Sequence, residues 1–226
     1  MAPLATPHWE AVTPMAQALL AVLGRLHALS SFYLAGGTAL ALRLGHRISQ
    51  DLDLFANIEV LDDDLRHHIV EELRRVYAVS LLQDSPLGLV LDVSGQSVSF
   101  FTYGYSLLES TDLISGIQIA RLVDIGLMKL DAIAGRGMRK DFYDLYFIAS
   151  HISLREMFGR SADKYPEAHG FGMRVLTALV DFDIADQQDE PVLLVPVQWE
   201  SVKAFFVAES RRLAEEWFEL ANMNKD

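Results

Sequence analysis

Two glycines and two aspartates carry the strongest chemical signal in this chain. Residues 34–55 read Leu34-Ala-Gly36-Gly37-Thr38-Ala-Leu40-Ala-Leu42-Arg43-Leu-Gly-His46-Arg47-Ile-Ser49-Gln-Asp51-Leu52-Asp53-Leu54-Phe55. Strand side chains alternate, so Asp51 and Asp53 share one face while Leu52 and Leu54 enter the core. Two carboxylates about 7 Å apart along a strand make a hard oxygen site, suited to Mg2+ and a triphosphate. Paired glycines ahead of a short helix bring bare backbone N–H groups beside a helix N-terminus, where phosphate is favoured. A D-x-D alone is most simply a strand-end turn whose aspartates face water. The glycine turn shortly before it shifts the balance to metal binding.

The flanking residues supply the elements that must hold this unit. Phe32-Tyr33-Leu34-Ala35 reads as a buried strand ending in the glycine turn. Thr38 to Leu44 reads as a short helix with Thr38 as its N-cap, and Asp51 to Phe55 as a second strand. Helical periodicity covers residues 9–29, and an acidic start marks a helix over 62–78. Residues 88–93 and 97–103, joined by Ser-Gly-Gln, read as a β-hairpin. Helices are expected over 122–134, 141–151, 171–180 and 199–220. The β-rich part ends near residue 115, which sets expected regions of 1–115 and 116–226 and an α/β fold class.

Bulk properties bound the function. The chain has 226 residues, 51% of them hydrophobic, which is ample for a packed core. No apolar run reaches the ~18–20 residues of a membrane span, and residues 1–8 lack a basic, then apolar, leader pattern. With no cysteine there are no disulfides or thiolate zinc sites, and a cytoplasmic protein without membrane partners is expected. The net charge of −12 opposes general nucleic-acid binding and fits a cationic small substrate or a basic protein partner.

The glycine and D-x-D unit resembles the nucleotidyltransferase superfamily, and more closely the AbiEii/AbiGii toxin-type family. There the segment reads roughly G-G-T-x-L-x-L, then R-x-S-x-D-L-D-L-F. Gly36, Gly37, Thr38, Leu40, Leu42, Arg47, Ser49, Asp51, Leu52, Asp53, Leu54 and Phe55 fit it. Met128-Lys129-Leu130, Arg139-Lys140-Asp141-Phe-Tyr-Asp144-Leu145 and Val195-Pro196-Val197-Gln-Trp199-Glu200 resemble later segments of the same family. The resemblance implies a polymerase β-like mixed sheet with a helical C-terminal part that completes the cleft. It implies nucleotidyl transfer from an NTP to an acceptor hydroxyl, by the toxin of a bacterial toxin–antitoxin or phage-defence pair. The acceptor would be tRNA or another RNA, and the protein partner a cognate antitoxin. Asp51 and Asp53 would hold Mg2+, while Gly36, Gly37, Thr38, Arg47 and Ser49 would hold the nucleotide phosphates. Lys129 would neutralise the leaving pyrophosphate, and Asp141 or Asp144 would activate the acceptor or position Lys129.

Several residues carry a plainer reading beside the functional one. Leu122, Ile125, Lys129, Ile133 and Arg136 share a helical stripe, on which a lysine either snorkels to the rim or points into a cleft. Asp141 lies near a helix start, where capping is the alternative; Asp144 shares its face. Arg136, Arg139 and Lys140, with Arg43, His46 and Arg47, are candidates for a phosphate-binding rim. Ser99 departs from the family pattern, because many polymerase β-like enzymes place a third carboxylate there. Asp92 on the neighbouring strand is a candidate substitute. Two rivals therefore stay open: a transferase acting on a small cation such as an aminoglycoside, and a non-catalytic nucleotide- or partner-binding protein of the same fold.

Overall fold

The structure is a computed structural model that describes residues 2–223; Met1 and residues 224–226, the end of the expected helical region, lie outside it. The described residues divide into two compact units, with the boundary between Ile125 and Gly126. No helix among them is long and apolar enough to cross a membrane.

The first unit is built on a seven-stranded mixed sheet. Its strands are β1 (Phe32–Ala35), β2 (Leu52–Ala56), β3 (Val79–Ser85), β4 (Gly88–Val93), β5 (Gln96–Thr102), β6 (Asp112–Ile114) and β7 (Ile117–Ile119). Their order is β3-β4-β5-β2-β1-β7-β6. β1 runs antiparallel to β2, whereas β2 and β5 are parallel, as are β1 and β7. Helices α1 (Pro14–Leu23), α2 (Gly36–Leu44) and α3 (Asp63–Arg74) accompany the sheet, α2 packing on β1 and β2 and α3 on β3.

Register explains the core. Leu34, Leu54, Phe100 and Leu89 stand in one lateral row, with Leu52, Val98 and Leu91 in the next. All seven are fully buried, so this is the apolar face that the period-2 pattern of β2 announces. The opposite face carries a row Ala35, Asp53, Ser99, Val90, and beside it a row Tyr33, Phe55, Phe101, Gly88.

The helix expected over 9–29 is broken by its own punctuation. Pro14 takes the first position of α1, Thr13 caps it by accepting from the Ala16 N–H at 3.0 Å, and Gly24 closes it. Trp9–Ala11 and His27–Leu29 are separate 3-10 turns. Asp62 caps α3, accepting from the Leu65 N–H at 2.7 Å, with Asp63 and Asp64 at its positive end. The β4–β5 hairpin turns through Ser94 and Gly95 at φ of 53° and 85°, a primed turn that suits strand twist.

The second unit is helical. α4 (Leu122–Arg136) crosses the boundary, followed by α5 (Arg139–Ala149), α6 (Leu154–Lys164), α7 (Phe171–Ala178), α8 (Asp183–Asp186) and α9 (Trp199–Met223). Its core is aromatic: the Phe142 ring lies 5.2 Å from Phe182, 5.5 Å from Phe206 and 5.8 Å from Trp199. Trp199 is thus a packing residue, consistent with its 7% exposure.

Candidate active site

The first unit gathers the glycines and the D-x-D at one end of the sheet. β1 ends at Ala35, whose register partner is Asp53, so the turn that follows lies beside the start of β2. Asp51 and Asp53 are half-buried, and Leu52 and Leu54 between and after them are fully buried. Gly36 has φ of 66°, the left-handed region open to glycine. A Cβ there would stand 2.9 Å from the Asp53 Oδ2. A Cβ at Gly37 would collide with the Arg47 guanidinium and stand 3.1 Å from Ser49 Oγ. Gly36 is required by its backbone conformation and makes room for the carboxylate, and Gly37 makes room for the guanidinium.

Thr38 is not the helix cap that its type predicts. α2 begins at Gly36 with Ala35 in the cap position and no side-chain cap bond. Thr38 is buried in the first turn; its hydroxyl donates to the Asp51 carbonyl and lies 2.9 Å from Ser49 Oγ. A hydroxyl has one proton and a carbonyl only accepts, so Ser49 is the donor in the second contact. Thr38 and Ser49 together tie the start of α2 to the strand that presents the aspartates. Arg47 is 5% exposed, and its Nη1 donates to the Ile48 carbonyl at 3.1 Å.

Replacing Gly36 with alanine should expose this close approach. The left-handed backbone alone costs a non-glycine residue about 1–2 kcal/mol, before the Cβ meets Asp53. Denaturant melts should show at least that loss, with weaker NTP binding. Gly104→Ala, where a Cβ meets nothing within 4 Å, should change neither. Equal behaviour of the two variants would remove Gly36 from the site.

The third carboxylate is absent at the position that register designates. Ser99 pairs directly with Asp53 across β2 and β5, and it is 6% exposed. Asp92 does not stand in for it. It pairs with Ser97, two strands away from β2, and its Oδ1 accepts from the Gly95 N–H at 3.0 Å to fix the hairpin turn. Among the described residues no group of three or more His, Asp or Glu side chains could hold a metal ion. Two same-face carboxylates beside a phosphate cradle still fit Mg2+, which takes one or two carboxylates and fills its shell with substrate phosphates and water.

The second unit holds a buried ion cluster. Lys129 on α4 places its Nζ 2.8 Å from Asp141 Oδ1 and 2.6 Å from Asp144 Oδ2, both on α5. Arg136 Nε donates to Asp141 Oδ2 at 2.9 Å. Both aspartates are fully buried and the Lys129 side chain is 5% exposed, so the lysine does not snorkel. Asp141 is not a cap either: α5 begins at Arg139, and Met138 takes the cap position without a side-chain bond. Burial pushes the Asp141 carboxyl up, but Lys129 and Arg136 outweigh it and hold the group below the usual carboxylate range. The i, i+3 spacing of Asp141 and Asp144 serves to grip one ammonium from two sides.

Three of the six residues of the expected basic rim are engaged or buried within the protein. Arg43 donates to the Ala120 carbonyl at 2.7 Å and pairs with Asp112 at 2.9 Å. Arg139 donates to the Gln188 carbonyl at 2.8 Å and lies 4.9 Å over the Trp199 ring. His46 is fully buried. These three are structural groups.

The profile described as "Nucleotidyl transferase AbiEii toxin, Type IV TA system" matches residues 17–220. The chain belongs to this family. It is 38% identical over 181 residues to an uncharacterised protein of Aquifex aeolicus, covering 78% of this chain and 85% of that one. Among solved structures it is similar to MenT4, a nucleotidyltransferase toxin of Mycobacterium tuberculosis, at a TM-score of 0.51 and 21% identity, over 86% of this chain and 84% of that one. It is also similar to ANT(2")-Ia in complex with adenylyl-2"-tobramycin, at a TM-score of 0.51 and 13% identity, over 71% and 98%. At such identities the two structures establish the fold: the polymerase β-like nucleotidyltransferase type, in agreement with the α/β expectation. Family membership in turn establishes the toxin-type nucleotidyltransferase character that the AbiEii segments of the sequence imply.

Proposed function

We propose that this AbiEii-family chain transfers a nucleotide from an NTP to an acceptor hydroxyl in the presence of Mg2+. The observation that carries the proposal is the packing of the glycine turn on the D-x-D strand, Gly36 against Asp53 and Gly37 against Arg47 and Ser49. Asp51 and Asp53 would hold Mg2+, which when bound offsets the charge of the triphosphate. Backbone N–H groups of Gly37 and Thr38, at the positive end of α2, would hold the β- and γ-phosphates, with Arg47 as a side-chain donor. Thr38 and Ser49 act through the strand they tie down, so they position the aspartates. We assign Lys129 to the charge of the leaving pyrophosphate and Asp141 and Asp144 to positioning Lys129. The carboxylate contacts at 2.8 and 2.6 Å support the positioning role of the two aspartates.

The family description supports a toxin acting in the cytoplasm with a cognate antitoxin, and tRNA is the acceptor we propose. The net charge of −12 favours a second reading, a cationic acceptor of the aminoglycoside type. Labelled NTPs with Mg2+, offered to purified tRNA and to tobramycin in parallel, separate the two. Label entering tRNA, with RNA binding that weakens steeply as salt rises, is expected. Label entering tobramycin alone replaces the acceptor, and failure both to bind NTP and to transfer label overturns the enzyme reading.

A further inference from the structure

The sheet face that carries the D-x-D also carries a feature that phosphate and metal chemistry do not use. Tyr33, Phe55 and Phe101 stand side by side across β1, β2 and β5. The Tyr33 and Phe55 rings stack at 6.1 Å and 29°, and Phe55 and Phe101 lie 5.7 Å apart at 35°. Tyr103 continues the row with its ring 5.6 Å from Phe55, and Tyr105 follows at 5.4 Å from Tyr103. On the opposite face every residue of the matching row, Leu34, Leu54, Phe100 and Leu89, is fully buried. Phe55, Phe101, Tyr103 and Tyr105 are only half-buried, so ring area remains open to a ligand. Tyr33, at the buried end of the row, is 4% exposed, and its hydroxyl has no hydrogen-bond partner among the described residues. Burial, with Tyr103 and Asp124 nearby, pushes the Tyr33 pKa up.

The direction of the row relative to the glycines decides what it would hold. The glycine turn lies at the start of β2, Asp53 comes next, and Phe55 stands one pleat further, about 7 Å along the strand. Phosphoryl transfer places the attacking and leaving oxygens roughly in line. With the β- and γ-phosphates on the glycines, pyrophosphate leaves toward the turn and the acceptor hydroxyl must enter from the opposite side. That side is the aromatic row. Stacked rings reward a planar π face, and they do so without regard to base identity.

Resting on the nucleotidyl-transfer reading above, we propose that Phe55, Phe101 and Tyr103, with Tyr33 at the end of the row, form the platform on which a base of a single-stranded RNA acceptor stacks. The row selects the class of acceptor: a nucleobase-bearing 3′ end gains from it, whereas an aminosugar has no planar face to offer.

The test compares the full chain with its Phe55→Leu/Phe101→Leu double variant, with Phe101→Tyr as the conservative control. Calorimetry in Mg2+ and low salt measures the affinity for NTP and for a single-stranded ribotrinucleotide. The double variant should lose about tenfold in trinucleotide affinity and keep its NTP affinity, and Phe101→Tyr should keep both. Should the double variant fail a thermal melt, Tyr103→Ala is read in its place, with a loss of about fivefold expected. Unchanged trinucleotide affinity in the leucine variant, or no trinucleotide binding by the wild type, overturns the platform. Equal loss of both ligands gives the row to the incoming base and overturns the acceptor assignment. A wild type that binds no NTP removes the transfer reading, while selective loss of trinucleotide affinity in the variant would still support the platform.

Discussion

Exchanging Asp51 and Asp53 together for asparagine should lower Mg2+-dependent NTP affinity at least tenfold, about 1.4 kcal/mol, and leave the protein folded. Asparagine matches aspartate in shape, and both side chains are only half-buried, so Leu52 and Leu54 keep their places in the core. The sign of a second measurement separates a metal site from general electrostatics. In a chain of net charge −12, removing two negative charges should make a triphosphate more welcome when no metal is present. Calorimetry with Mg2+ and again with a chelator therefore moves in opposite directions: affinity falls in the first and holds or rises in the second. Because Ser99 occupies the position beside Asp53, no neighbouring carboxylate on β5 compensates. An unchanged Mg2+-dependent affinity would sink the site.

That site is legible in the sequence because its parts obey short-range rules. Alternation along β2 separates Asp51 and Asp53 from Leu52 and Leu54, and the paired glycines mark a turn between a strand and a helix. The role of Thr38 is not legible, because a threonine three residues into a strand–helix turn is equally a cap by type. Only the placement of Gly36 in the left-handed region starts the helix early and aims the Thr38 hydroxyl at Asp51 instead. The partners of Arg43 and Arg139 are hidden for a different reason. They include the backbone carbonyls of Ala120 and Gln188, and no residue type records where a carbonyl will point.

Elements follow the same division. The β4–β5 hairpin shows in the Ser94-Gly95 turn between two alternating runs, but the same Ser-Gly pair at 115–116 joins β6 and β7, three residues each, too short to show a period. β3 is invisible as an apolar pattern because it is an edge strand exposed along most of its length. α6 did leave a mark, Ser153-x-x-Glu156, and Ser153 accepts from the Glu156 N–H at 3.2 Å. Its buried apolar residues Leu154, Met157 and Phe158 follow the i, i+3, i+4 spacing of a helix face.

Replacing Lys129 with methionine should destabilise the protein by about 3–5 kcal/mol at neutral pH, because it leaves Asp141 and Asp144 buried with their shared cation gone. The stripe of α4 shows a lone lysine, but its partners lie on the next helix, so sequence alone makes it look expendable to the fold. In the wild type the depressed Asp141 pKa contributes stability that is present above the ordinary carboxylate value of about 4 and is lost as pH falls through the folded value. In the variant the sign reverses. Buried carboxylates without their cation take up protons more readily, so their cost is relieved as pH falls. The stability gap between wild type and variant should thus be widest near pH 7 and shrink toward pH 4, as read from denaturant melts. Adding Asp141→Asn and Asp144→Asn to the variant should recover part of the loss at pH 7, since two buried charges disappear with it. A gap that stays constant with pH would mean that the cluster contributes packing rather than charge. Transfer activity is then to be compared per folded molecule, so that a lysine needed for the leaving pyrophosphate is distinguished from one that only holds α4 to α5.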